Sequence, residues 1–175
     1  MEIILLDNQQ ECLDIAVSEF KSALLFCKKL NPQKYTDDYI RGCLDIATSI
    51  KCVDKCLYSP TIKKNDKVFK LSTFAKVKEK SATIGMMQVQ SYSYNKIPKL
   101  WVTELAGCNH GGEKLLAYAI NMAITNNIEE IRLTPANHND KLITYYKNIV
   151  NSSYLVFSIT CNMEEGEIVY RLNKM

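Results

Sequence analysis

The stretch KLWVTELAGCNHGGEKLLAYAI, residues 99–120, decides how the middle of this chain folds. It opens with an apolar run typical of a buried strand, and from Glu113 onward its apolar residues follow the spacing of a helix. The turn between the two contains Gly107, Gly111 and Gly112. A tight turn at the start of a long helix directs unbonded backbone N–H groups at one spot, which suits an anion such as a pyrophosphate.

The length and composition of the chain predict a globular protein. At 175 residues it is long enough to bury a substantial core, and we expect a single domain over residues 1–175. Apolar residues make up 47% of the sequence, which excludes an intrinsically disordered chain. The net charge of +3 is mild, so it neither requires nor excludes a nucleic acid or another phosphate-bearing partner.

Seven cysteines are scattered along the sequence without a CxxC pair. Their number is odd and no signal peptide is visible, so we interpret them as reduced thiols of a cytoplasmic protein. Cys52 and Cys56 have no histidine nearby, and we expect no metal site. No run approaches the ~20 apolar residues of a transmembrane helix, so we expect no membrane partner. Cys108 stands at a predicted helix start, a position that lowers the pKa of a thiol, but no His–Asp partner for a nucleophile is evident.

The periodicity of apolar residues predicts the order β-α-α-β-β-β-α-β-α-β-β. This order gives an α/β fold with a single mixed, mostly antiparallel sheet and a central β-α-β crossover. Asp7, with Gln10 as capping-box partner, and Thr36 are the expected N-caps of the first two helices. TIKKNDK, residues 61–67, is interpreted as a lysine-rich turn. The predicted strands are 2–6, 68–77, 82–94, 99–105, 128–135, 153–163 and 166–175, and the predicted helices are 8–30, 37–58, 113–127 and 140–148.

With these elements the chain resembles a divergent member of the GNAT superfamily of N-acetyltransferases. The element order matches over nearly the whole length, and the more specific match covers roughly residues 97–149. The turn of the family usually carries Arg or Gln, two residues, Gly, one residue, and then Gly or Ala. Here those three positions hold Gly107, His110 and Gly112. The residues that carry the resemblance are Leu100-Trp101-Val102, the 107–112 turn, Leu115-Leu116, and the later set Asn139, Leu142 and Tyr146.

The resemblance implies transfer of an acetyl group from acetyl-CoA, as co-substrate, to an amine that attacks it directly in a ternary complex. It implies that the Tyr146 hydroxyl protonates the departing thiolate, although a core tyrosine would satisfy the same pattern. It also implies a carboxylate base in the central strand, for which Glu104 is the candidate. The alternative for Glu104 is an ordinary surface residue at a strand end.

The same resemblance implies a binding site for the cofactor. Backbone N–H groups of the turn would hold the CoA pyrophosphate, and strand backbone would contact the acetyl group or the pantetheine. The alternative for His110 is a partly exposed turn residue in a left-handed conformation, and for Asn139 a helix cap. The carboxylate of Glu113 suits the helix dipole but would repel a phosphate if it pointed inward. The implied cofactor-binding residues are Val102, Leu105, Asn109, His110, Gly111, Gly112, Glu113, Lys114 and Asn139.

The acceptor stays open at this point, as an amine-bearing small molecule or a protein. Four tyrosines are interpreted either as lining an acceptor cleft or as packing residues: Tyr35, Tyr39, Tyr92 and Tyr94. The departures at Gly107 and His110 motivate one alternative, a GNAT-fold module that has lost catalysis and serves in binding or regulation. Another is an acetylating toxin or effector that acts on tRNA or protein, which the charge permits without supporting. A homodimer is also open, because dimers are common in the family.

Overall fold

The computed structural model describes residues 1–6, 9–50, 62–64, 67–69, 72–79, 82–94, 97–135, 140–149 and 157–174. These residues form nine strands and four helices. In chain order they are β1 (Glu2–Leu6), α1 (Gln10–Leu30), α2 (Asp37–Ser49), β2 (Ile62–Lys64), β3 (Lys67–Phe69), β4 (Ser72–Glu79), β5 (Ala82–Tyr94), β6 (Ile97–Gly107), α3 (Gly111–Thr125), β7 (Glu130–Leu133), α4 (Asp140–Ile149), β8 (Phe157–Glu164) and β9 (Glu167–Lys174).

Seven of the strands form one mixed sheet in the order β1-β4-β5-β6-β7-β9-β8. β6 and β7 are parallel and are joined through α3, which confirms the predicted β-α-β crossover. β4 pairs antiparallel with β1, and β9 pairs antiparallel with both β7 and β8. The predicted α/β fold with a mixed, mostly antiparallel sheet is therefore confirmed.

Several local predictions are wrong. The helix expected over residues 37–58 ends at Ser49, with Ile50 as its C-cap in an extended conformation. The strand expected over residues 68–77 is two strands: β3 pairs with β2 in a separate two-stranded ladder, and β4 joins the large sheet. β2 itself lies in the segment interpreted as a lysine-rich turn. Alternating apolar and polar residues indicate a strand but carry no information about its partner, so the pattern could not separate two ladders.

Helix caps follow the prediction at α2 but not at α1. The Thr36 side chain accepts a hydrogen bond from the Tyr39 N–H at 3.2 Å, as expected of an N-cap. α1 is instead capped by Gln9, whose side chain makes no capping bond. Gln10 donates to the Asp14 carboxylate rather than closing a capping box, since one helical turn separates these two side chains. Asp7 lies outside the described residues.

The chain divides into two compact units, each with its own buried core. The first comprises Met1–Leu57, Ser72–Val89 and Glu104–Tyr118. Its apolar core is contributed by α1, α2, β5 and the start of α3, where a three- and four-residue spacing puts the apolar side chains on one face of each helix. The largest fully buried side chains of this unit are Leu13, Phe20, Leu24, Met86, Met87, Leu115 and Leu116.

The second unit comprises Tyr58–Leu71, Gln90–Thr103 and Ala119–Met175. Three consecutive residues of β9, 168–170, are buried, which is typical of a strand covered on both faces. The carboxylate of Glu130 is buried in this unit beside two cations: Lys99 Nζ lies 2.9 Å away, and the Arg132 guanidinium donates to the same carboxylate. Among the described helices of the chain, none is long and apolar enough to cross a membrane.

Candidate functional site

The turn between β6 and α3, residues 107–112, has an unusual backbone. Asn109 and His110 both lie in the left-handed region, with φ of 48° and 67°. A residue other than glycine occupies this region at a cost of roughly 1–2 kcal/mol. The expectation that a histidine at position 110 tolerates this conformation is confirmed. Two such residues in succession fold the chain back sharply, so that α3 begins at Gly111, close to the end of β6.

Gly107 and Gly112 close this turn by direct backbone contact. A Cβ placed on Gly107 would lie 2.2 Å from the Gly112 nitrogen and 2.8 Å from its Cα. Those atoms belong to the backbone and cannot move aside as a flexible side chain would. A side chain at position 107 would therefore clash with the start of α3.

Most of the amides around the turn are already bonded. The N–H of Cys108 donates to the Ile84 carbonyl (2.8 Å), that of Asn109 to the Tyr35 hydroxyl (3.0 Å), that of Gly111 to the Cys108 carbonyl (2.8 Å), and that of Lys114 to the His110 carbonyl (3.1 Å). Within the described residues, the amides of His110 and Gly112 donate to no protein acceptor. Of these six amides, those of His110 and Gly112 are therefore the two that we expect to be open to an anion.

Side chains from distant parts of the first unit hold the turn. The Tyr39 hydroxyl on α2 donates to the Gly107 carbonyl at 2.7 Å, while the Tyr35 hydroxyl accepts from the Asn109 N–H. The Asn109 side-chain amide donates to the Glu79 carboxylate at 2.7 Å. The two tyrosine rings stack edge to face with centroids 5.5 Å apart. Tyr35 and Tyr39, interpreted from sequence as cleft or packing residues, therefore fix the two sides of the turn.

Cysteines lie beneath the turn in an apolar setting. Cys43 and Cys108 are buried, and Cys27 is half-buried. Burial raises the pKa of the Cys108 thiol, and the neighbouring Cys27 and Cys43 raise it further. This direction is opposite to that expected for a thiol at a helix N-terminus, because desolvation outweighs the helix dipole here. Within the described ranges, no group of three or more His, Cys, Asp or Glu side chains is placed to hold a metal ion.

Charged and polar side chains at the start of α3 face solvent. His110 Nδ1 lies 3.2 Å from the Glu113 carboxylate, and these side chains are 65% and 39% exposed. The carboxylate is thus engaged with the imidazole on the outside of the turn. Lys114 is also exposed and can add positive charge near the helix start.

β6 carries Glu104 and the two residues whose backbone was expected to contact the donor. The parallel ladder with β7 ends at the pair Val102–Leu133, and β6 continues beyond it to Gly107. Val102 lies inside the ladder, whereas Glu104 and Leu105 follow it. Glu104 is half-buried, and burial raises the pKa of its carboxyl above the usual range. A raised pKa is the direction that suits a general base near neutral pH.

Tyr146 lies on α4 in the second unit. It is 8% exposed, whereas its neighbour Tyr145 is 39% exposed, so the two adjacent tyrosines face different environments. Their rings are 5.5 Å apart, and the Tyr146 carbonyl accepts a hydrogen bond from the Tyr170 hydroxyl at 2.7 Å. Tyr170 was missed by sequence reasoning, because nothing in the spacing of residues 146 and 170 marks them as partners.

The predicted site residues are distributed over the chain as follows. Glu104, Leu105 and the 107–112 turn belong to the first compact unit, and Val102 and Tyr146 belong to the second. Asn139 lies outside the described residues.

Neither a protein-family model nor a curated protein matches the sequence of this chain. Solved structures do resemble it. An aminoglycoside acetyltransferase from an uncultured soil metagenomic sample, in complex with trehalose, is 12% identical over 93% of this chain and 96% of its own, with a TM-score of 0.48. A ribosomal-protein-alanine N-acetyltransferase from Brucella melitensis biovar Abortus 2308 is 12% identical over 89% of this chain and 99% of its own, with a TM-score of 0.46.

AtaTR bound with acetyl-CoA is 15% identical and matches 58% of this chain and 69% of its own, with a TM-score of 0.39. Identities and TM-scores this low assign the chain no family and assign no residue its role.

Proposed function

We propose that this protein transfers an acetyl group from acetyl-CoA to an amine. The observation that carries the proposal is the turn at the start of α3. Within the described residues, it leaves the amides of His110 and Gly112 without protein acceptors at the positive end of a 15-residue helix. Backbone N–H groups at a helix N-terminus favour an anion, and the pyrophosphate of CoA is an anion of the right kind.

In this proposal the pyrophosphate is held by the amides of His110 and Gly112, with Lys114 adding charge. Asn109 supports the turn rather than binding the ligand, because its N–H and its side chain are both engaged with the protein. The acetyl group and the pantetheine would run along β6, where the backbone of Leu105 follows the end of the β7 ladder. The same proposal keeps four further residues as contacts of the cofactor: Val102, Gly111, Glu113 and Asn139.

The chemistry proposed is direct attack in a ternary complex. The amine nitrogen attacks the thioester carbonyl carbon, a C–N bond forms, and the C–S bond breaks. Glu104 takes the proton that the amine loses, directly or through water, and Tyr146 gives a proton to the departing thiolate. Each proton transfer by a positioned side chain contributes typically about 10²–10⁴-fold to the rate. We also propose a cytoplasmic location, since the five described cysteines are unpaired.

A second function is favoured by a specific observation. Gly107 occupies the position of the family's Arg or Gln and cannot accept a side chain, and four amides near the turn are bonded internally. Both features suit a GNAT-fold protein that binds a partner without catalysis. This function predicts no acetyl-CoA binding and no effect of Tyr146→Phe on biological activity.

Thermal denaturation with acetyl-CoA tests the first proposal. A ligand that binds only the native state stabilises it by about 2.7 kcal/mol at a hundredfold excess over its Kd. We expect a concentration-dependent rise in Tm, and release of the CoA thiol when a primary amine is added. A panel of a peptide with a free α-amino group, a lysine peptide and an aminosugar would reveal the acceptor class. A Tm unchanged at millimolar acetyl-CoA would contradict the proposal.

A pair of glycine variants locates the binding site. A Cβ on Gly112 meets only Gly107 backbone atoms, at 3.9 Å and beyond, so Gly112→Ala should fold normally. It would place a methyl group beside the two amides proposed to bind the ligand, and we expect the Kd for acetyl-CoA to rise about tenfold, or ~1.4 kcal/mol. Gly42→Ala, whose Cβ would have nothing within 4 Å, makes the same change on α2 and should leave the Kd unchanged. Equal Kd values for the two variants would place the ligand elsewhere.

A further inference from the structure

Tyr170 is a buried tyrosine whose hydroxyl has a specific partner. The residue lies on β9 with no exposed surface, and its hydroxyl donates to the Tyr146 carbonyl at 2.7 Å. On one side it pairs with Ile131 of β7, and on the other with Cys161 of β8. A residue held between two strands in this way provides a rigid attachment point for α4.

The bond reaches α4 near its C-terminal end. α4 ends at Ile149, so Tyr146 lies in the last turn of the helix. The Tyr170 hydroxyl reaches the carbonyl of Tyr146 from the sheet. It therefore ties the last turn of α4 to β9 at the residue proposed as the general acid.

The position of this bond also bears on the choice between two adjacent tyrosines. Successive residues of an α-helix point about 100° apart, since one turn takes 3.6 residues. A rotation of α4 by one residue would exchange Tyr146, which is buried, with Tyr145, which is exposed. Fixing the backbone at Tyr146 prevents that rotation.

We infer that Tyr170 is a positioning residue for Tyr146: its hydroxyl holds the end of α4 in the rotation that buries the Tyr146 phenol and exposes that of Tyr145. The inference rests on the proposed function. A phenylalanine at position 170 would fill nearly the same volume, so Tyr170→Phe tests the hydroxyl and its hydrogen bond to the Tyr146 carbonyl alone.

Steady-state kinetics of three variants test it, with acetyl-CoA and the best amine of the panel. We expect Tyr146→Phe to lower kcat about 10²-fold, as for loss of a general acid. Tyr170→Phe should lower kcat about threefold to tenfold, the range for one hydrogen bond, with the KM for acetyl-CoA within about twofold of wild type. In the double variant kcat should equal that of Tyr146→Phe alone, because both changes act through one group.

Tyr39→Phe is the matched control. It removes the same kind of bond, a tyrosine hydroxyl to a backbone carbonyl at 2.7 Å, but at the turn. It should raise the KM for acetyl-CoA and leave kcat in place. A second acyl donor, a thioester whose leaving thiol is more acidic, needs less protonation of that thiol. The loss of kcat in Tyr170→Phe should therefore be smaller with this thioester than with acetyl-CoA. A folding defect would cause the same loss with both acyl donors.

Two outcomes would overturn the inference while the proposed function survives: an unchanged kcat in Tyr170→Phe, or an independent, multiplicative loss in the double variant. If no amine in the panel is acetylated, the inference can still be tested by a measurement that needs no amine substrate. NMR of protein labelled at the tyrosine ζ carbon, with the Tyr146 signal assigned from Tyr146→Phe, should show that signal shifted in Tyr170→Phe and unmoved in Tyr39→Phe. An unmoved signal in both would overturn the positioning role. Absence of acetyl-CoA binding by the wild-type protein would contradict the proposed function alone.

Discussion

Gly107 and Gly112 are in direct backbone contact, and a Cβ on Gly107 would lie 2.2 Å from the Gly112 nitrogen. The contact joins the last residue of β6 to the first turn of α3. The shape of the candidate anion site therefore depends on the absence of one side chain.

Gly107→Ala should destabilise the protein by about 1–3 kcal/mol, the usual range for overpacking against atoms that cannot move. Urea denaturation measures this change in the free energy of unfolding. Gly42→Ala on α2 is the control, and it should stabilise by about 0.5–1 kcal/mol, because its Cβ meets nothing within 4 Å in a helix. Similar unfolding free energies for the two variants would show that the contact at Gly107 is not tight in solution.

His110→Gly should stabilise the protein relative to His110→Ala by about 1 kcal/mol. His110 has a φ of 67°, a conformation that glycine adopts without a steric penalty and alanine does not. Both variants remove the imidazole and its contact with Glu113, so their difference isolates the backbone term. Chemical denaturation of the pair is the measurement, and equal stability would contradict the left-handed backbone at this position.

Glu104→Gln should lower kcat about 10²–10⁴-fold if Glu104 is the base that takes the amine proton. Burial raises the pKa of Glu104, and a base is active when deprotonated. In the pH profile of kcat, the fall at low pH should therefore have its midpoint above pH ~4.3, the ordinary pKa of a glutamate side chain. This fall should be absent in Glu104→Gln. A fall that persists in the variant would assign it to another group. Glu79→Gln is a control that changes a carboxylate holding the turn, and it should act on the KM for acetyl-CoA.

Glu130→Gln should destabilise the second unit by about 1.5–3 kcal/mol at pH 7, the range for hydrogen bonds to a charged group. Burial by itself would raise the pKa of Glu130, but the hydrogen bonds from Arg132 and Lys99 together outweigh burial, so the pKa is below its usual value. The contribution of a group with a lowered pKa is present above its unfolded value, ~4.3, and is lost as the pH falls through the folded value.

The wild-type protein should therefore lose more stability than Glu130→Gln between pH 5 and pH ~2. Urea titrations across this range measure the difference. Glu129→Gln removes the same charge from an exposed neighbour and should follow the wild-type curve. Parallel curves for Glu130→Gln and the wild type would show that the contacts of Glu130 with Lys99 and Arg132 make no protonation-dependent contribution to the free energy of unfolding.

The fold followed from the sequence because its main signals are local. The strand-to-helix switch around residues 99–120 and the helical spacing in α1, α2 and α3 are periodicities that one sequence contains. The β2–β3 ladder was missed because it depends on the choice of partner. A short alternating segment is equally compatible with either sheet.

The candidate site was only partly predictable for a related reason. The turn and its glycines could be identified from local sequence, but the partners that hold it come from 30 to 74 residues away, at Glu79 and Tyr35. These partners decide which amides are left for a ligand, and no spacing rule shows them. The exposed Glu113–His110 pair, three residues apart, is the kind of contact that sequence does give.

The Gly107–Gly112 contact also restricts how this chain can change by mutation. A single substitution that introduced Arg or Gln at position 107 would drive a side chain into the backbone of the helix start. The turn would first have to lengthen, or α3 to begin later, before such a side chain became tolerable. Variants with a long side chain at position 107 should therefore arise only in that order, with the backbone change preceding the side chain.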